Sequence, residues 1–182
     1  MKTDKYIGKK YMSNKWGEVE ILSFVRKENK DRYYRVIFKE SGNKGVFRLN
    51  SIKYGTIRDK ERDRGTPSIA GIGYIGDLKG SIKDKNIKPF YRRWSSMLRR
   101  VYDINHYNYS SYGGAGVTVD ERWHCFATYY QDVQKLEGFN LQEILKGGVA
   151  LDKDIKQKGK KNRVYSMETC KWVSIAVNNE NR

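Results

Sequence analysis

Residues 89–102, PFYRRWSSMLRRVY, constrain this fold more than any other stretch of the chain. Phe90, Trp94, Met97, Leu98 and Val101 recur at helical spacing and make one apolar stripe. Pro89 suits a first helical turn, where its missing N–H costs nothing. Such a stripe belongs in a core, so other segments have to cover it. Arg92, Arg93, Arg99 and Arg100 project from the other side. They form either a solvated face or a row that contacts phosphates. Four arginines and no lysine favour phosphates, because a guanidinium binds them bidentately.

The charge balance points the same way. Lys and Arg outnumber Asp and Glu by 37 to 21, for a net charge of +16 in 182 residues. A field of that sign concentrates polyanions, with duplex DNA the expected partner. Aromatic residues make up 13% of the chain, enough for compact cores and too many for a chain disordered throughout. The length admits one large domain or two small ones. Cys125 and Cys170 form no CxxC pair, and with His106 and His124 they lack the short spacings of a structural zinc site. No zinc is expected; two reduced, buried thiols in a cytoplasmic protein are. No apolar run approaches the roughly 20 residues that span a bilayer, so no membrane partner is expected.

Residues 1–60 read as a small β domain. The runs Val19 to Val25, Tyr33 to Phe38 and Val46 to Ile52 are β-rich and separated by charged, Gly- and Asn-containing turns. They predict a three-stranded antiparallel unit with one packed face. Arg35 and Arg48 are its candidate nucleic-acid contacts, since a basic three-stranded sheet can lie in a major groove. Residues 61–88 read as a charged and Gly-rich linker. GIGYIG (71–76) superficially resembles a phosphate-cradling loop, but no GK[ST] ending follows. Glycines that let the backbone come close to a neighbour are the better reading.

Residues 89–182 make the last domain. After the arginine-bearing helix, Asp103 to Gly116 reads as a loop rich in Asn, Ser, Tyr and Gly. A short strand at Val117 to Val119 follows, and Asp120 to Trp123 leads into a second helix that runs to about Lys135. Most histidines are structural; His106, in a polar loop able to reach a phosphate, is the better catalytic candidate of the two. Towards the end, LDKDIKQKGKKNRVYSMETCKWVSIAVNN (151–179) reads as strand, basic loop, strand and helix. Its loop carries Lys156, Lys158, Lys160, Lys161 and Arg163, candidate phosphate contacts. The whole chain is expected to be α+β: an N-terminal β unit, a helical middle and a C-terminal ββα unit.

The second half resembles the phage-encoded HNH or homing endonuclease proteins. The resemblance rests on GIGYIGDLKG (71–80), FYRRWSSMLRRVYD (90–103), YSSYGGAGVTVDERWHCF (109–126), LDKDIKQKGKKNRVYSMETCKWV (151–173) and the closing NN (178–179). It implies a ββα-metal unit, duplex DNA as ligand and a Mg²⁺ ion held by Asp152 and Asn178. The sequence departs from that pattern at Lys153, which stands where the general-base histidine belongs. An unperturbed lysine is protonated at neutral pH and cannot accept a proton from water. Three expectations follow: a DNA-binding protein with a degenerate HNH-like fold; an active Mg²⁺-dependent endonuclease or nickase in which Lys153 stabilises charge and His106 helps supply the base; or an inhibitor of a host protein or nucleoprotein complex that contacts it through Tyr107 to Tyr112.

Overall fold

A computed structural model describes residues 4–180 and divides the chain into two compact units, 1–65 and 66–182. Each has its own core.

The first unit is a four-stranded antiparallel sheet, where three strands were expected. Strands β1 (Lys10–Ser13), β2 (Gly17–Glu28), β3 (Asp31–Phe38) and β4 (Lys44–Arg48) pair in chain order. The extra strand, KYMS, is a short edge element with only Ser13 buried, so it carries no alternating pattern to betray it. A tight turn sets its register instead, with Ser13 opposite Gly17. Val19, Ile21, Tyr34, Val36 and Phe38 bury the inner face against Trp16, Ile57 and Ile52, the last from helix α1 (Leu49–Lys53). Helix α2 (Lys60–Gly65) is tied on by buried Asp59, whose carboxylate accepts from the Arg62 N–H, the Ser41 hydroxyl and the Asn43 amide.

The second unit is built on helix α3 (Lys88–Tyr102), whose Phe90, Trp94, Met97, Leu98 and Val101 are all buried. Residues 66–88 pack here rather than serving only as a connection, since Ile69, Leu78 and Ile87 join the same core. The glycines explain how. A Cβ on Gly73 would run into Leu98 and Trp94, and Gly76 lies against Cys125 with φ +67°. That close passage lets Tyr74 bridge to Cys125 in parallel fashion.

The same bridge sets where the expected second helix begins. Residues 121–124 form a 3-10 turn, Cys125 is extended (φ −84°, ψ 118°), and helix α4 (Phe126–Val133) starts only afterwards. Cys125 is flanked by two bonds to the incoming chain: Tyr74 N–H donates to the His124 carbonyl, and Phe126 N–H donates to the Tyr74 carbonyl. Three tryptophans lock the layers. Trp94 Nε1 donates to the Trp123 carbonyl (2.7 Å), Trp172 Nε1 to the Val133 carbonyl (2.8 Å) and Trp123 Nε1 to Asp132 (3.1 Å).

Strand β5 (Thr118–Val119) pairs in parallel with β7 (Val164–Tyr165). Helix α5 (Leu141–Lys146) leads into β6 (Val149–Asp152), which pairs antiparallel with β8 (Lys171–Ser174). Helix α6 (Ile175–Glu180) follows directly. Over 151–179 the single second strand expected is divided in two: β7 pairs with β5 and only β8 pairs with β6, before helix α6. No helix among the described residues is long and apolar enough to cross a membrane.

Candidate functional site: a cationic cleft on helix α3

At about 100° per residue, Arg92, Arg93, Arg99 and Arg100 fall within an arc of roughly 120°, away from the buried stripe. Three of them, Arg92, Arg93 and Arg100, line a cleft of about 510 Å³. The same cleft is lined by Lys153 just past β6, Asn178 of α6, Lys146 of α5, and Tyr112, Tyr129 and Tyr165. Arg99 is exposed and is not part of this lining.

Five basic side chains thus share the cleft with one carboxylate, Asp154. That carboxylate is already committed. Lys153 Nζ lies 2.7 Å and Arg163 Nη1 2.6 Å from its Oδ1. Lys153 is buried, with its ammonium 5.1 Å from the centre of the Tyr112 ring and 5.3 Å from that of Tyr165. Arg100 faces the Tyr112 ring as well, at 4.7 Å. These rings offer their negative faces to the cations and hold them in place. Arg93 donates to the carbonyls of Pro89, Ile144 and Val149, so it bolts α3 to the α5–β6 turn, and burial lowers its pKa.

Asp152 does something other than line this cleft. Val149, Ala150, Leu151, Lys153 and Asp154 line the cleft, and Asp152 is not among the lining residues. Its Oδ1 accepts from the backbone N–H groups of Asp154 (2.9 Å) and Ile155 (2.8 Å), closing the turn into a 3-10 segment, Ile155–Gln157. Its Oδ2 is buried and meets no donor among the described residues. Magnesium requires exposed oxygen ligands that leave room for several of its waters. A carboxylate sealed in a turn, and an Asn178 amide set among five cations, do not fit that ion. Among the described residues no cluster of three or more His, Cys, Asp or Glu could hold a metal.

The basic loop that follows is held by a residue the sequence reading passed over. Buried Gln157 donates to the carbonyls of Lys153 (2.6 Å) and Val164 (2.9 Å) and accepts from Val164 N–H (3.1 Å). Beyond this staple Lys158, Lys160 and Lys161 stand exposed with no ion pair among the described residues. Lys156 is drawn back toward the Cys170 carbonyl and Glu137, and Arg163 toward Asp154. A glutamine between lysines gives no local signal of burial. Tyr129 escaped notice too, because an aromatic on an apolar helix face reads as plain core.

His106 lies apart from the cleft lining. Its ring stacks on Tyr107 with centroids 4.5 Å apart, and its Nδ1 accepts from Asn108 N–H at 3.2 Å. His124 is structural: its Nε2 meets the Tyr102 hydroxyl at 3.1 Å, and burial lowers its pKa.

In the first unit, pairing places Tyr33 opposite Arg48 and Arg35 opposite Val46, so both arginines share the outer face of the sheet. Arg35 is exposed with no ion pair among the described residues, whereas Arg48 meets Asp31 at 2.7 Å. Arg26 covers the Tyr33 ring at 4.4 Å beside them.

Comparison of the chain with family models, with curated proteins and with solved structures gave no match.

Proposed function

We propose that this is a duplex DNA-binding protein whose second unit tracks phosphates with the exposed arginines of α3 and the lysine loop after β6. The observation that carries this reading is the one-sided placement of the α3 arginines, above a cleft whose single carboxylate is neutralised from within. Arg92, Arg99, Lys158, Lys160 and Lys161 are exposed and have no ion pair among the described residues, so their charge is available to an external polyanion. Arg35 on the first unit offers a further contact of the same kind. The α+β scaffold with a degenerate HNH-like unit suits binding better than cleavage, because Lys153 is engaged with Asp154 and Asp152 caps a turn.

The test is equilibrium binding of a labelled duplex across a salt series. Each neutralised phosphate contributes about −0.9 to the slope of log affinity against log salt. Arg92→Ala with Arg99→Ala is expected to flatten that slope by about 1.8 if each meets one phosphate. A salt-independent affinity, or a slope untouched by the double variant, removes the reading. Incubating a plasmid with Mg²⁺ in the same series tests cleavage, and no nicking is expected.

A further inference from the structure

Two donors in the cleft have nothing to donate to. The Tyr129 hydroxyl and Arg100 Nε are shielded from solvent without an acceptor among the described residues, and both side chains line the cleft. Tyr129 is wholly buried. Burial raises the phenol's pKa, so the group is a proton donor at neutral pH. Nearby, Arg93 spends its guanidinium on carbonyl oxygens and has no ion pair with a carboxylate among the described residues. Buried donors are almost always paired, and buried cations are paired or pay heavily in desolvation. The one carboxylate present is already shared by Lys153 and Arg163. A small, highly charged anion with several acceptor oxygens would answer all of these groups at once.

We propose that the cleft, at Tyr129, Arg100 and Lys153, is a receptor for a phosphate monoester. A monoester carries about −1.5 to −2 charges and three terminal acceptor oxygens. A diester within a duplex carries one charge and two such oxygens. The diester also stays on a convex backbone, whereas Tyr129, which lines the cleft, is buried together with its hydroxyl. A terminal group can reach such a buried hydroxyl; a linkage continuous on both sides cannot. The volume of about 510 Å³ leaves room for the sugar or base attached to the phosphate. A free nucleoside monophosphate and a phosphorylated strand end share this chemistry. The inference goes beyond duplex binding, because inorganic phosphate alone suffices to probe it.

The experiment is thermal unfolding of the full chain in rising inorganic phosphate, with ionic strength held constant by chloride. The wild-type midpoint is expected to climb with phosphate, as for any ligand that binds only the native state. Tyr129→Phe keeps the ring and removes only the unpaired hydroxyl. Its midpoint without phosphate is expected to be no lower than wild type, with phosphate affinity reduced roughly tenfold. Arg100→Gln is the second variant, with a similar loss expected, and decides the matter if Tyr129→Phe does not fold. Nucleoside 5′-monophosphate and nicked duplexes bearing a 5′-phosphate or a 5′-hydroxyl then identify the source. Preference for the phosphorylated nick supports a strand end, and preference for the mononucleotide supports a free ligand. No rise beyond the chloride control overturns the inference, as do variants that respond like wild type. Duplex binding without a phosphate response sinks this site alone. A phosphate response without duplex binding sinks the duplex reading and leaves the site standing.

Discussion

Replacing Asp152 with alanine separates two accounts of the same side chain. As a turn cap, its Oδ1 accepts two backbone N–H groups, at 2.9 and 2.8 Å, in a buried turn. Hydrogen bonds to a charged acceptor contribute about 1.5–3 kcal/mol each, and removing the acceptor strands both donors. Part of that loss is offset, because the partnerless Oδ2 leaves with the side chain. The net cost for Asp152→Ala comes to about 2–4 kcal/mol. Asp152→Asn keeps one accepting oxygen in place and should cost about 1 kcal/mol, for the lost charge. Urea unfolding in EDTA, followed by tryptophan fluorescence, reads the effect, since Trp94, Trp123 and Trp172 are all buried in the second unit. A metal ligand behaves in the opposite way: its loss costs little in EDTA, and Mg²⁺ stabilises wild type but not the variant. An alanine variant within about 0.5 kcal/mol of wild type in EDTA would refute the capping argument.

Other consequences are open to direct measurement. Cys170 is buried, and burial pushes its thiol up to about 12, so iodoacetamide at mild alkaline pH should leave it unmodified until the unit unfolds, as peptide mapping would show. The same shift has a sign for stability: between the ordinary value of 9.0 and about 12 the unfolded chain releases a proton that the native state keeps, so stability should fall as pH rises through that window. Gly76→Ala should destabilise by about 1–3 kcal/mol, because the new methyl meets Cys125 Sγ at a positive φ; calorimetry reads the change. Arg35→Ala should weaken duplex binding while shifting stability by less than about 0.5 kcal/mol, since the side chain is exposed with no ion pair among the described residues.

Helix α3 was legible in the sequence because its periodicity is strong and its burial is one-sided. Near the end, the first strand, the basic loop and the closing helix were legible, but not the division of the aromatic run into β7 and β8, which belong to different sheets. The edge strand KYMS was not, since edge pairing satisfies backbone groups without asking for an apolar pattern. Nor was the break at Cys125, which depends on Tyr74 arriving from some fifty positions earlier in the chain. At the cleft, the reading found the cations but not their setting. Arg100 and Lys153 share one aromatic ring, Tyr112, supplied by a loop with no periodic signal at all. Asp152 was legible as the acid ending its strand, but its bonds to the backbone N–H groups of Asp154 and Ile155 were not, because a turn cap leaves no periodic signal.

Gln157 cuts the chain between β6 and β7 into two parts with different freedoms. Inside its three bonds the backbone is pinned beside the cleft; outside them, residues 158–162 are exposed, held by the Lys160 N–H on the Gln157 carbonyl and by Asn162 against Gly116. Lengthening that outer arc is cheap, about 0.6 kcal/mol per doubling of a flexible loop. The reach and charge of the lysine arm can therefore be rewritten, by selection or by hand, while the chamber behind it keeps its shape.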